Sequence, residues 1–133
     1  MSTRTLTAGP LRARLRVAAL VALGGVAGAN CRYAAALLAP GLPGTLLANV
    51  LGAFALGFLV YGTLYRGALP ADVRLLVSTG FLSSFTTYST FAVQSATARP
   101  ALLVANVALT YALGFAAVLA GRTLARRITG WSA

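Results

Sequence analysis

Long uncharged runs, mostly apolar, dominate this chain, and short segments that carry its arginines separate them. The four charge-free stretches are Val17–Cys31, Tyr33–Tyr65, Leu75–Ala98 and Pro100–Gly121. A helix needs about 20 mostly apolar residues to cross a bilayer. The second stretch is too long for one helix, and the Pro-Gly-Leu-Pro-Gly run at 40–44 predicts a turn inside it.

This pattern predicts an all-α membrane protein in which residues 1–133 form a single domain of four transmembrane helices. The expected spans are about 16–38, 45–65, 73–97 and 100–121. Short loops between the spans predict that neighbouring helices run antiparallel. Since so short a chain cannot enclose a large water-filled bundle, we expect a pore to require a second subunit.

The start of the chain loosely fits a signal peptide, because basic residues precede an apolar stretch. However, Asn30 directly before Cys31 does not fit a lipoprotein cleavage site, and the apolar pattern continues past Arg32. We therefore expect a retained first span. Cys31 is the one cysteine of the chain, so no internal disulfide is expected.

The composition favours a membrane protein over a soluble or nucleic-acid-binding one. Hydrophobic residues make up 59% of the chain and charged residues 9%, whereas a soluble domain has about a quarter charged residues. The charged residues are eleven arginines and one acid, Asp72, and the net charge is +10. These arginines lie between apolar runs, where they can anchor loops to anionic lipid headgroups. We therefore expect the lipid bilayer, and not nucleic acid, as a partner.

The arginines are distributed unequally between the two sides that four spans would create. The side with both termini and the middle loop collects Arg4, Arg12, Arg14, Arg16, Arg66, Arg74, Arg122, Arg126 and Arg127. The other side has Arg99, and Arg32 lies within the first span. The positive-inside rule therefore predicts that the N- and C-termini lie in the cytoplasm.

The third span contains the densest run of polar groups. Six hydroxyl side chains lie in its middle: Ser83, Ser84, Thr86, Thr87, Ser89 and Thr90. Hydroxyls can bond to freed carbonyls, so this run predicts a helix break near the bilayer midplane, where carbonyl oxygens can hold a small cation. The interleaved rings of Phe85, Tyr88 and Phe91 either pack against a neighbouring helix or turn their positive edges toward an anion.

The first span carries a charge and a pair of small residues. Arg32 either extends its guanidinium to the outer interface or places a positive charge in a vestibule that attracts anions. Gly24 and Gly28 are four residues apart, so they share a helix face and predict a close approach by another helix.

Amide and hydroxyl groups lie in the second and fourth spans. Asn49 either bonds to a neighbouring helix or donates to a passing ion. Asn106 and Thr110 are four residues apart and form one polar stripe on the last span.

No Asp, Glu, His or Lys lies in any predicted span, which disfavours a proton relay or a carboxylate cation site. The polar groups of the predicted spans are instead hydroxyls, amides and one arginine, and all of these donate hydrogen bonds. A lining rich in donors suits an anion. The sequence has no nucleophile–base pair, metal-ligand cluster or phosphate loop that would indicate an enzyme.

The segment Gly80–Phe91, GFLSSFTTYSTF, resembles the signature of the Fluc (CrcB) fluoride channels. The GAxxRY pattern at Gly28–Tyr33 and the TLLAN segment ending at Asn49 add to this resemblance, which covers nearly the whole chain. It implies a fluoride-selective channel in the plasma membrane that passively exports fluoride from the cytoplasm. It also implies a dimer of two oppositely oriented subunits, with two fluoride pathways along the interface and a structural sodium ion at the centre.

The resemblance also implies roles for individual residues. The backbone carbonyls of Ser83 and Thr86 would hold the sodium ion. The fluoride pathway would be lined by Asn49, Tyr88, Ser89, Thr90, Phe91 and Thr110. Arg32 would lie at the vestibule.

The chain departs from the usual family pattern at a few of these positions. Ser83 and Ser84 stand where the family usually has two glycines, and Tyr88 stands where it usually has Phe. Gln94 replaces a common Glu, and Asn106 replaces a common Tyr.

The partner subunit and two other functions stay open. An antiparallel homodimer needs a chain that inserts in both orientations, whereas nine arginines against one favour a single orientation. We therefore hypothesise a heterodimer with a similar chain of opposite bias, in which this chain either conducts or is a non-conducting partner. A small multidrug-type, proton-coupled exporter would need a carboxylate within the membrane, and no predicted span contains one.

Overall fold

The chain folds into helices, without strands, throughout the part that the computed structural model describes, residues 8–66 and 69–129. Arg4 lies outside these residues, as does the side chain of Arg66. The elements are α1 (Ala8–Leu38), α2 (Leu42–Arg66), α3 (Ala71–Arg74), a π-helical segment (Leu75–Leu82), α4 (Ser83–Phe85), α5 (Tyr88–Thr97) and α6 (Pro100–Thr129).

Proline and glycine end the helices where the sequence predicts turns. Gly41 has φ +79°, a conformation that glycine adopts without strain, and it joins α1 to α2. Pro70 precedes α3 in an extended conformation, and Pro100 is the first residue of α6. A proline is well suited to a helix start because its missing N–H would have no helical partner there.

Three continuous helical stretches are long and apolar enough to cross a membrane, namely Pro10–Leu38, Leu42–Thr63 and Pro100–Ile128. They correspond to the first, second and fourth predicted spans. The region of the third predicted span, 73–97, is not one helix. It consists of a helical rod from Ala71 to Phe85, two extended residues and then α5.

Small residues bring pairs of helices into backbone contact. A side chain at Gly24 of α1 would collide with the Leu76 carbonyl oxygen in the π-helical segment, and one at Gly28 would collide with that of Phe81. The predicted close approach at these two glycines is therefore confirmed. Between α2 and α6, a Cβ on Gly57 would lie 2.5 Å from the Val118 carbonyl oxygen.

Two contacts place the arginine-rich segments at one end of the bundle. Arg16 of α1 forms an ion pair with Asp72 of α3. The Arg122 guanidinium of α6 lies over the Tyr61 ring of α2, with 5.0 Å between Cζ and the ring centroid. The start of α1, the end of α2, the start of α3 and the end of α6 therefore lie together.

The interior is thin. Among the described residues, the buried apolar side chains are Ala48, Leu82, Phe85, Phe91 and Ala125, and no large side chain is fully buried. Leucines, valines and aromatic residues instead cover the outside of the helices. Such an apolar exterior suits a bilayer, in which hydrocarbon is the solvent.

Candidate functional site

The helical rod that begins at Ala71 ends at Phe85, and the next helix begins only at Tyr88. Between them Thr86 has φ −79° and ψ 156°, and Thr87 has φ −148° and ψ 120°, so both residues are extended. An interruption frees backbone donors and acceptors that a continuous helix would pair. The side chains around it therefore decide which of these groups remain free.

Asn49 of α2 takes both backbone groups of Thr87. Its Nδ2 donates to the Thr87 carbonyl at 3.0 Å, and its Oδ1 accepts from the Thr87 N–H at 2.8 Å. In a continuous helix this N–H would donate to the carbonyl of Ser83, four residues earlier. Asn49 thus withdraws the usual donor from the Ser83 carbonyl.

The Thr87 side chain likewise takes an N–H group that a continuous helix would pair with the Thr86 carbonyl. Its Oγ1 accepts from the Thr90 N–H at 3.2 Å and caps the start of α5. The hydroxyl also donates to Thr90 Oγ1 at 3.0 Å and lies 3.3 Å from Ser89 Oγ. Because the Thr90 N–H would otherwise reach the Thr86 carbonyl, the cap frees that acceptor as well.

The two carbonyls freed in this way belong to Ser83 and Thr86, and their chemistry fits a small hard cation such as sodium. Their hydroxyls are already bonded to the preceding helix, since Thr86 Oγ1 donates to the Leu82 carbonyl at 2.9 Å and Ser83 Oγ to the Gly80 carbonyl at 3.2 Å. Arg32 Nη1 donates to the Thr86 carbonyl at 3.5 Å, so a cation bound to this carbonyl would have to replace the guanidinium.

A groove of about 480 Å³ runs beside the interruption. It brings together six of the residues singled out from the sequence: Asn49, Ser83, Thr86, Tyr88, Phe91 and Thr110. Tyr111 and the buried Thr87 also line it. Most of the remaining lining is small or apolar, so the polar groups are few and converge on one space.

Aromatic rings form one wall of this groove. Phe91 is buried, at 7% exposure, and lies between Tyr88 and Tyr111. Its ring centroid is 5.8 Å from that of Tyr88 and 6.3 Å from that of Tyr111, and the latter pair is perpendicular. Tyr88 is 74% exposed, so most of this side chain lies on the open side of the groove.

The polar groups predicted on the last span separate in the structure. Asn106 is buried and donates from Nδ2 to Ser95 Oγ of α5 at 2.9 Å, so it bonds two helices together. Thr110 lines the groove, and its buried hydroxyl oxygen has no hydrogen-bond partner among the described residues. This hydroxyl can therefore donate to a small anion.

Two predicted pathway residues do not line this groove. Thr90 lies in a second cavity of about 220 Å³, together with Arg32, Thr45 and Gln94. The buried Oε1 of Gln94 has no partner among the described residues. Ser89 is exposed and reaches only the Thr87 hydroxyl.

Thr87 and Thr45 lie at the site although the sequence does not predict them as site residues. Thr87 could have been recognised by its place, since Thr is a preferred capping residue where a helix restarts after a break. Thr45 is 8% exposed and carries no comparable signal, because only the packing of α2 places it in the second cavity.

Comparisons with known proteins match nearly the whole described bundle. Residues 19–122 match the family described as "CrcB-like protein, Camphor Resistance (CrcB)". The chain is 59% identical over 111 residues to "Fluoride-specific ion channel FluC 1" of Haloarcula marismortui, covering 84% of this chain and 87% of that protein. It is 52% identical over 122 residues to "Fluoride-specific ion channel FluC 2" of Halobacterium salinarum, covering 91% and 95%. The resemblance seen in the sequence is thereby confirmed, and the chain belongs to the CrcB family.

Proposed function

We propose that this chain is a subunit of a fluoride-selective channel that passively exports fluoride from the cytoplasm across the plasma membrane. The observation that carries this proposal is the groove beside the interrupted helix, where amide and hydroxyl donors and ring edges converge. Relatives that are 59% and 52% identical to the chain are named fluoride-specific ion channels. A small anion that sheds its water needs such donors in exchange.

In this proposal residues 71–97 form the third span, and the interruption lies near the bilayer midplane. Freed backbone groups are tolerated at membrane depth only where they line a cavity or lie within protein. The support is that Thr86 and Thr87 lie beside the groove and that Asn49 satisfies the Thr87 backbone.

The carbonyls of Ser83 and Thr86 would hold a structural sodium ion. When bound, the ion would supply a fixed positive charge beside the two carbonyl dipoles. The support is that Asn49 and Thr87 take the N–H groups that would otherwise bond to these carbonyls.

Several side chains would contact fluoride at successive points of its path. Arg32 places a positive charge at the vestibule and attracts anions. The Thr110 hydroxyl and the second N–H of the Asn49 amide donate to the ion within the groove, and the edge of the Phe91 ring faces it. Thr90 and Ser89 extend the polar track toward the second cavity.

A second subunit of opposite orientation would close the groove. The support is that the groove is open and that Tyr88, on its rim, is 74% exposed. Both an antiparallel homodimer and a heterodimer with a homologous chain fit this arrangement. The arginine imbalance supports cytoplasmic termini and favours the heterodimer.

A non-conducting partner subunit is a second candidate function. The observation that favours it is that Tyr88 lines the groove at a position where the family usually has Phe. The added hydroxyl group can narrow this chain's own pathway. A proton-coupled exporter would need a carboxylate in the groove. Asp72 does not line the groove and pairs with Arg16 instead.

Fluoride efflux from liposomes tests the proposal. Liposomes loaded with fluoride would receive the purified chain alone, a co-expressed homologue alone, or both, and an electrode would follow the released ion. We expect fluoride but not chloride to leave whenever the conducting dimer is present. Thr110→Val should slow efflux by about tenfold, as expected for the loss of one hydrogen bond of about 1.4 kcal/mol.

Thr123→Val is the matched control, because the Thr123 hydroxyl lies on the same helix and bonds to the Leu119 carbonyl, away from the groove. Efflux that needs the homologue but is unaffected by Thr110→Val would assign this chain the supporting role. Equal passage of chloride, or no efflux in any combination, would refute the channel.

A further inference from the structure

We infer that Asn49 is a positioning residue whose side-chain amide holds the third span open at Thr87. This inference deepens the proposed function, because the freed Ser83 carbonyl and the ring wall of the groove depend on that opening. It differs from the role of an ion donor, which would engage only the outward N–H of the same amide.

The inference starts from the pairing of one amide with one residue. Both hydrogen bonds of Asn49 go to Thr87, at 2.8 Å to its N–H and 3.0 Å to its carbonyl. A primary amide offers one donor and one acceptor side by side, so it substitutes for the peptide groups that a continuous helix would supply. Thr87 is 7% exposed, so water cannot replace these bonds easily.

The removal of this amide would leave two buried backbone groups unpaired. An unsatisfied buried donor or acceptor is costly, and more so away from water. Without a fixed acceptor for the Thr87 N–H, the extended backbone at this residue would open more often, which would also loosen the position of Tyr88. Asn49, 38 residues earlier on another helix, thus decides the local backbone conformation.

Hydrogen–deuterium exchange in fluoride-free buffer separates this role from ion binding. We expect Asn49→Leu to speed exchange at the Thr87 amide by about tenfold, because a protecting hydrogen bond is lost. Asn106→Leu is the matched control, since it removes another buried amide whose bond goes to Ser95 and not to the interruption. It should leave exchange at Thr87 unchanged.

Asn49→Asp tests the same bonds in a single protein, because the protonation state of its carboxyl decides whether it can donate to the Thr87 carbonyl. The neutral carboxyl has one donor and one acceptor, like the amide, whereas the ionised carboxylate only accepts. The exchange rate at Thr87 in this variant is compared with the rate in the original protein at the same pH. The two rates should be equal in acid, where the carboxyl is neutral, and the rate in the variant should exceed the other as the carboxyl ionises. Among the described residues, the charged and titratable side chains around this site are those of Arg32, Tyr33, Tyr88 and Tyr111.

Each outcome decides the inference. Unchanged exchange at Thr87 in Asn49→Leu would overturn it, even if fluoride efflux were lost, because Asn49 would then act on the ion alone. If Asn49→Leu unfolds, exchange rises along the whole chain and Asn49→Asp decides. Exchange at Thr87 that stays as slow as in the original protein at a pH where infrared spectroscopy shows the introduced carboxyl ionised would refute the clamp. If the original protein moves no fluoride, the proposed function fails while the exchange result still stands.

Discussion

Thr87 holds the start of α5 through one hydroxyl group. The oxygen caps α5 by accepting from the Thr90 N–H, and the side chain is buried at 7% exposure. Its cap and the Asn49 bonds take the N–H groups that a continuous helix would pair with the carbonyls of Thr86 and Ser83. The conformation of the break therefore depends on two polar side chains more than on any glycine.

Thr87→Val should destabilise the protein by about 1 kcal/mol, because it keeps the shape of the side chain and removes a helix cap. Thr87→Ser keeps the hydroxyl and should stay within about 0.5 kcal/mol of the original. Thermal unfolding of the purified protein in detergent measures both changes. Equal stability of the two variants would show that the cap contributes nothing.

At this scale the sequence predicted the region but not its connections. The hydroxyl run at 83–90 predicts a break, and the family resemblance implies pathway roles for Thr110 and Asn49. Which hydroxyl caps the restarted helix could not be read from the sequence, since it depends on Thr87 being extended. The Asn49 contact spans 38 residues and depends on how α2 packs.

Backbone contact between α1 and the π-helical segment is the closest helix packing near the site. It needs glycine at 24 and 28, since a side chain at either would meet a backbone carbonyl and not a movable side chain. This contact fixes the rod that ends at Phe85, just before the freed carbonyls.

Gly24→Ala should therefore destabilise the protein by about 1–3 kcal/mol through overpacking against the Leu76 carbonyl. Gly25→Ala is the control on the same helix, because its new methyl would meet only the Ser84 hydroxyl, at 3.3 Å, and this side chain can shift by the small distance needed. It should change stability by less than about 1 kcal/mol, because Ala is the better helix former and the conflict is slight. The comparison uses unfolding midpoints in detergent, and similar midpoints for both variants would contradict the packing argument.

Hydropathy predicted the helices well because long apolar runs have few alternatives in a bilayer. Three continuous helices correspond to three predicted spans, and the Gly41 turn lies in the predicted Pro/Gly run. The π-helical turns of Leu75–Leu82 were not predicted. They lie where this segment packs against Gly24 and Gly28 of α1, and no residue pattern marks them.

Charge distribution belongs to the whole molecule. Seven arginines whose side chains are described lie near the start of α1, in α3 or near the end of α6. They are Arg12, Arg14, Arg16, Arg74, Arg122, Arg126 and Arg127. Arg99, between α5 and α6, lies at the opposite end. Such a bias favours one orientation during insertion, which sets the partner that the chain can meet.

Replacement of seven arginines by Gln should produce chains of both orientations, because only Arg16 and Arg122 then stand against Arg99. The seven are Arg4, Arg12, Arg14, Arg66, Arg74, Arg126 and Arg127. Replacement of the same seven residues by Lys keeps the charge and should preserve one orientation. Reporter domains fused to the C-terminus, one active only inside the cell and one only outside, measure the result. A single orientation in the Gln variant would mean that arginine bias does not set topology here.

The thin interior has a consequence for the life of the protein in the cell. A bundle with no large side chain fully buried among its described residues owes little of its cohesion to a private core. If the proposed second subunit binds, the stability of the fold rises with the concentration of that subunit, by mass action. A copy without it would leave the groove and its freed backbone groups facing acyl chains, and degradation would remove such copies first.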